Sequence, residues 1–244
     1  MADKNMVIFG VRPVIEALEA GRELERIFVR KGSDSPVMQR LASLAAERGV
    51  DVAHVPVEKL DRMVRGNHQG VAAVMSMIEY ASLDDVIERA KDEAIVVLLD
   101  GVTDVRNFGA IARSAECAGA DAVVVSAKNG AQVNSEAVKS SAGALNVLPV
   151  CRVGSIRNAI RQLKNSGFKV VAATEKSDTP LWSGDLTGRV AIVMGSEDKG
   201  ISKESLKLCD MQLAIPLKGE ISSLNVSVAA GILIFEVIRQ RASV

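Results

Sequence analysis

Five apolar residues run unbroken from Ile95 to Leu99, the pattern of a strand buried on both faces of a sheet. Comparable short runs recur at 122–126, 147–151, 169–173, 190–194 and 211–215. Apolar residues at helical spacing between them predict helices over 84–91, 108–117, 155–165 and 226–239, with a short one capped by Ser202. Strands alternating with helices predict a parallel α/β sheet. The first third of the chain repeats the theme on a smaller scale. Strands are expected at 26–29, 50–55 and 71–77, and helices at 13–20, from Ser35-Pro36 to Gly49, and at 57–64. The domain reading is therefore 1–77 for a small N-terminal α/β domain, 78–83 for a linker, and 84–244 for a larger parallel-sheet domain.

Polar residues gather where three of the later strands end. The loop 100–107 presents Asp104, Arg106 and Asn107, with Arg113 on the helix that follows. The loop 195–200 reads Gly-Ser-Glu-Asp-Lys-Gly, and 216–225 holds Lys218, Gly219, Glu220, Ser222 and Ser223. Loops after the strands of a parallel sheet lie on one edge, where open α/β sheets bind ligands. Convergence of the three is the argument for a site, since each alone reads equally as an ordinary connection. Ser223 and Asn225 sit where the last helix would be capped, and the N–H groups of its first turn are left to meet a polar ligand. In the N-terminal part, His68 and Gln69 read either as turn chemistry or as contacts to a nucleic acid. Arg22, Arg26, Arg30 and Lys31 fall within ten residues, but Glu19, Glu23 and Glu25 interleave with them, which favours a mixed, solvated face.

Composition narrows the chemistry. Hydrophobic residues make up 48% of the 244 and aromatics only 3%, so the core must be aliphatic. Thirty basic and thirty acidic residues balance, so any polyanion partner must be met by a local patch. Cys117, Cys151 and Cys209 are far apart and odd in number, which points to free thiols in a reducing cytoplasm and to no zinc. No Cys/His cluster suggests a metal. The start MADKNMVIFG carries no signal-peptide pattern, and no apolar run approaches the ~18–20 residues of a membrane span. Neither GxGxxG nor GxxxxGK[ST] occurs after a strand. His54 and His68 are the only histidines, so a Ser-His-Asp triad on the sheet edge is unavailable. What remains is Arg, Glu, Ser, Asn and backbone groups, a set suited to binding a polar cofactor and positioning a hydroxyl.

Three segments together resemble a known family. LLDGVTDVRNFGAIARSAECAGA, VAIVMGSEDKGIS and IPLKGEISSLNVSVAAGILIFE are similar, in order and spacing, to motifs 1, 2 and 3 of the SpoU/TrmH RNA ribose 2′-O-methyltransferases. Val105 stands where motif 1 usually carries proline. Gly10 to Val14 and His68 to Ala72 resemble parts of that family's L30e-like substrate-binding domain, so the likeness spans nearly the whole chain. It is nearest to the bacterial members that methylate a guanosine of 23S rRNA. The resemblance implies a homodimer and a C-terminal domain threaded into a deep trefoil knot. It also implies S-adenosylmethionine held largely by backbone groups of Gly195, Ile215 and Leu224.

Methylating a ribose 2′-OH requires that this poor nucleophile lose its proton, or be strongly polarised, as the methyl leaves its sulfonium. The resemblance gives Arg113 a part in activating that hydroxyl. A guanidinium stays protonated and makes a poor base. The reading taken here is that Arg113 clamps the target phosphate and stabilises the developing alkoxide electrostatically. Asn107 would orient Arg113 or the ribose, Glu197 would anchor Arg113 or the hydroxyl, and Ser223 and Asn225 would shape the pocket. Two alternatives stay open: the same chemistry on tRNA, and a non-catalytic RNA- or ribosome-binding module of the same fold.

Overall fold

The structure is a computed structural model that describes residues 7–242. The first six residues, where the N-terminal domain was expected to begin and no signal pattern was found, lie outside the described residues, as do the last two. The chain divides into two units, one running to Glu79 with residues 133–135, the other comprising Tyr80–Gln132 and Glu136–Val244.

The first unit is built on β1 (Val7–Phe9), α1 (Val11–Glu19), β2 (Leu24–Arg30), α2 (Pro36–Glu47), β3 (Asp51–Val55), α3 (Val57–Met63) and β4 (Val71–Met75). Its sheet order is β1-β4-β2-β3, with β2 and β3 parallel and β4 antiparallel to both β1 and β2. Side chains alternate across β2 as a strand requires. Ile27 and Val29 join Val14, Leu18 and Leu41 in one buried cluster, while Phe28 joins Val55 and Leu60 in another. The short edge strand β1 was not anticipated, because three residues are too few for an alternation to register. Helix α1 starts at Val11, before the expected Pro13, which instead falls in its first turn.

The second unit contains α4 (Leu83–Arg89), β5 (Ile95–Asp100), α5 (Val105–Cys117), β6 (Ala122–Ser126), α6 (Ser135–Ser140), β7 (Val150–Val153), α7 (Ile156–Asn165), β8 (Lys169–Ala173), β9 (Val190–Gly195), α8 (Lys203–Leu206), β10 (Met211–Leu213) and α9 (Val226–Arg241). All its strand pairs are parallel, in the order β10-β8-β9-β5-β6-β7. Helices α4 and α7 cover one face with Val86, Ile160 and Leu163 against Val96, Leu98 and Val124. Helices α5 and α9 pack on each other, and their Phe108, Ile111, Ala230, Leu233 and Ile234 are fully buried.

Three boundaries differ from expectation in ways that matter. Helix α5 begins at Val105, because Asp104 caps it by accepting the N–H groups of Arg106 and Asn107 at 2.9 and 2.8 Å. Arg106 and Asn107 are thus helical, not loop, residues. Strand β7 lies three residues later at its start, since Pro149 offers no N–H and Val147 is 70% exposed. Strand β10 ends at Leu213, so Ile215 belongs to the following loop.

Candidate functional site

From β5 the chain crosses towards β6, and from β9 it crosses to the other side, passing β8 to reach β10. Neighbouring strands whose connections leave in opposite directions open a crevice at their carboxyl ends. There Asp100 of β5 pairs with Gly195 of β9. Gly195 permits a close approach that no other residue would. An added Cβ would lie 2.2 Å from both the Gly200 carbonyl carbon and the Ile201 nitrogen. The turn closes with reciprocal backbone bonds between Ser196 and Gly200 at 3.1 and 2.9 Å. It is anchored to β5 by Asp100, whose Oδ2 accepts the Ser202 N–H at 3.0 Å and hydroxyl at 2.8 Å.

This turn delivers Glu197 to a network drawn from three distant segments. Asn107 Nδ2 donates to Glu197 Oε1 at 2.5 Å, and Asn225 Nδ2 donates to the same oxygen at 3.2 Å and to Asn107 Oδ1 at 3.0 Å. The amide orientation of Asn225 follows from its other end. Its Oδ1 caps α9 by accepting the N–H groups of Ser227 and Val228 at 2.9 and 3.3 Å, so its NH₂ must face Asn107 and Glu197. Of the two expected capping residues, Asn225 is therefore the cap and Ser223 is not. Glu197 Oε1 is occupied by two donors, while Oε2 has no recorded partner among the described residues.

A cavity of about 510 Å³ adjoins the network, within the ~300–1,000 Å³ usual for cofactor-sized ligands. Gly195, Glu197, Ile215, Ser223, Leu224 and Asn225 all line it. Among the described residues, the backbone groups from Ile215 to Leu224 enter no backbone–backbone hydrogen bond. They leave a row of donors and acceptors beside exposed apolar Leu217 and Leu224. A ligand with a flat base, ribose hydroxyls and an amino-acid group meets fitting chemistry here. Thr174, Glu175 and Lys176 also line the cavity and were not anticipated. Their signal was available, because they follow β8, whose carboxyl end lies on the same edge.

Arg113 stands apart from this network. It is exposed and makes no recorded hydrogen bond or ion pair among the described residues. Six helical positions place it about 120° around α5 from Asn107 and ~9 Å along. Of the two roles expected of Asn107 (Arg113 or the ribose) and of Glu197 (Arg113 or the hydroxyl), the bond to Arg113 is not made among the described residues, because helix phase turns Arg113 to the side of Arg106, which pairs with Glu136 at 2.5 Å. No group of three or more His, Cys, Asp or Glu among the described residues could hold a metal. No helix among them is long and apolar enough to cross a membrane.

Comparison with known proteins bears on both units. Residues 94–235 match the family model of the SpoU rRNA methylase family, and residues 7–81 match that of the RNA 2′-O ribose methyltransferase substrate-binding domain. The chain is 36% identical to the 23S rRNA (guanosine-2′-O-)-methyltransferase RlmB of Pseudomonas syringae pv. tomato, over 97% of this chain and 96% of that protein. It is 33% identical to the putative TrmH family tRNA/rRNA methyltransferase YacO of Bacillus subtilis, over 99% and 98% of the two chains. Among solved structures, the SpoU methyltransferase AviRb from Streptomyces viridochromogenes in complex with the cofactor AdoMet aligns with a TM-score of 0.64. It is 27% identical, covering 98% of this chain and 91% of that one.

Proposed function

The chain belongs to the SpoU rRNA methylase family and is an S-adenosylmethionine-dependent RNA 2′-O-ribose methyltransferase; we propose that its substrate is a guanosine of 23S rRNA. The observation that carries the reading is that Glu197 and Asn225 belong both to the hydrogen-bonded network and to the cavity wall. A bound cofactor and a positioned hydroxyl would therefore meet at those two residues. Similarity to the 23S rRNA guanosine methyltransferase over nearly the full length of both chains supports the choice of RNA.

S-adenosylmethionine, when bound, supplies an electrophilic methyl carried on a sulfonium. In this reading the backbone of Gly195, Ile215 and Leu224 holds it. Asn225 is fixed by its capping role, and Asn107 is locked against it. Together they hold Glu197 so that Oε2 is presented as an acceptor for the substrate hydroxyl, with Ser223 closing the wall. Arg113 clamps a phosphate of the RNA, and as the 2′-oxygen takes the methyl its proton shifts from the Glu197 contact to an oxygen of that phosphate. Residues 84–244 form the catalytic domain and 1–77 the RNA-binding one, with 78–83 between them. The segment after β10 passes through the trefoil knot of the family, and the protein works in the cytoplasm as a homodimer. Helix α9 supports the dimer, since Val228 and Phe235 remain 51% and 49% exposed opposite its buried stripe.

The test is methyl transfer from labelled S-adenosylmethionine to unmodified 23S rRNA, with the modified position mapped by primer extension. One 2′-O-methylguanosine is expected. Incorporation into tRNA but not rRNA would overturn the substrate, and a monomer by sedimentation at micromolar concentration would overturn the dimer.

A further inference from the structure

The four basic residues that cluster in the sequence between Arg22 and Lys31 do not cluster in space. Strand β2 separates them, and its seven residues span ~20 Å. Arg22 and Arg26 lie at its start, where Arg26 pairs with Asp51 at 3.0 Å. Arg30 and Lys31 lie at its carboxyl end. Topology brings other basic residues to that second edge. Strand β1 is antiparallel to β4, and β4 to β2, so β1 runs parallel to β2 and delivers Phe9, Gly10 and Arg12 there. Strand β4 starts at the same edge, so the preceding loop brings Arg65, Asn67 and Gln69.

The edge is knit together locally. Gln69 Oε1 accepts the Val11 N–H at 3.4 Å, and the Arg30 N–H donates to the Gly70 carbonyl at 2.8 Å. Arg30 Nε reaches Ser33 Oγ at 3.4 Å. Arg12, Lys31 and Arg65 are exposed and make no recorded ion pair among the described residues. The carboxylates nearby are few. Asp34 accepts from Gln39, Asp61 is engaged by His68 at 3.0 Å, and Glu58 opens α3. Phe9 is 37% exposed on the same edge. Gly66 is packed so closely that an added Cβ would lie 3.1 Å from the Phe9 ring. The ring thus lies against bare backbone and stays partly open to solvent.

We propose that this edge, formed by Arg12, Arg30, Lys31 and Arg65 around the Phe9 ring, is where the small domain grips RNA. The four cations take successive phosphates, and the ring stacks on one unpaired base. Exposed cations around an aromatic platform are the chemistry of single-stranded RNA recognition. Among the described residues, the cations of the opposite edge are instead interleaved with Glu19, Glu23 and Asp51. The inference rests on the RNA-methyltransferase reading and goes further in assigning which edge binds.

The experiment measures binding of full-length protein to unmodified 23S rRNA transcript across a salt series. Three variants are compared with wild type: Arg12→Gln/Arg30→Gln/Lys31→Gln/Arg65→Gln, Phe9→Leu, and, at the opposite edge, Arg22→Gln/Arg48→Gln, Arg48 following α2 with its guanidinium beside Gly21. Each lost phosphate contact lowers the salt slope by ~0.7 on a single strand, so the four-fold variant should lose roughly 2–3 units of slope. Its affinity should fall at least ~10²-fold at low salt, with KM raised and kcat at saturating RNA retained. Phe9→Leu should weaken binding about ten-fold without changing the slope, as expected for lost stacking. The opposite-edge variant should bind as wild type. Circular dichroism and thermal unfolding check that the small domain of each variant is folded. Wild-type slope in the four-fold variant, or an equal loss in the opposite-edge variant, would overturn the assignment. Failure of wild type to bind the transcript would overturn it too. Wild type that binds but transfers no methyl to 23S rRNA would sink the substrate reading alone.

Discussion

Asn225 donates to Glu197 Oε1 at 3.2 Å while its own Oδ1 holds the first turn of α9. One carboxamide therefore ties the stability of a helix to the geometry of the site. The two roles use different atoms and are separable by substitution. Asn225→Asp keeps an oxygen for the cap but removes the NH₂ donor and sets a second carboxylate beside Glu197. It should hold the melting temperature near wild type and lower kcat by roughly 10–100-fold, the scale of a lost positioned donor. Asn225→Ala loses both roles and should also cost about 1 kcal/mol of stability as the cap is removed. Thermal unfolding and turnover measured side by side check the pair. Equal loss of stability in both variants would show that the cap needs the amide and that the separation is wrong.

Much of this architecture was legible in the sequence, for identifiable reasons. Strands β6 and β8 lie where their apolar runs placed them, because Ser126 and Lys169 each mark one end of an otherwise apolar strand. Ser35, Ser155 and Ser202 cap the helices they were expected to open. The order of strands was not legible, since it depends on contacts between residues far apart in the chain. The cavity's third wall at Thr174–Lys176 was overlooked because those residues form no recognisable motif. The separation of Arg113 from Asn107 needed the true start of α5, and that start turned on the Asp104 cap.

Gly195 offers a test of the cavity that alters no polar side chain of the network. Its missing Cβ is the condition for the turn at 196–200 to fold back on β9, with backbone atoms 2.2 Å from where the Cβ would lie. Backbone cannot move aside as a flexible side chain can. Gly195→Ala should displace the turn, weaken S-adenosylmethionine binding at least ~10-fold and destabilise the domain by about 1–3 kcal/mol, the scale of an overpacked site. Calorimetric titration of the cofactor and denaturant unfolding measure the two effects. Unchanged cofactor affinity would place the ligand elsewhere.

The three thiols should differ sharply in reactivity. Burial pushes the Cys151 thiol up to about 12, with a smaller push from Asp85. Burial likewise raises Cys209 to about 12, helped by Asp210. Cys117 is exposed. Because the thiolate is the nucleophile, iodoacetamide at pH 8 should modify Cys117 first and leave the other two intact in the folded protein. The same shifts bear on stability. A thiol raised in the folded state favours folding while it stays protonated. That contribution is full below the unfolded value of ~8.5 and is lost as pH rises towards 12. Unfolding followed from pH 8 to 11 should show stability falling, and the double variant Cys151→Ala/Cys209→Ala should fall less steeply. Equal labelling of all three cysteines in native protein would contradict the burial.

Arg113 is the residue on which the proposed mechanism turns, and its isolation sharpens the test. It neither lines the cavity nor joins the Asn107–Glu197–Asn225 network, so Arg113→Ala should leave cofactor affinity near wild type while removing most turnover. Arg113→Lys asks what the guanidinium does. Lysine keeps the charge but loses the planar fork that grips a phosphate through two donors. If diffuse positive charge is enough, the lysine variant should retain much of the rate. If a phosphate is clamped in one geometry, the loss should reach at least ~10²-fold, the scale of removing one preorganised transition-state donor. The pH dependence of kcat separates a clamp from a base. A clamp lowers the rate by the same factor at every pH, whereas a general base shifts the profile when lysine replaces arginine, because its proton then leaves at lower pH. A profile displaced towards lower pH, with the rate recovering in alkali, would reject the clamp and make Arg113 the group that takes the ribose proton.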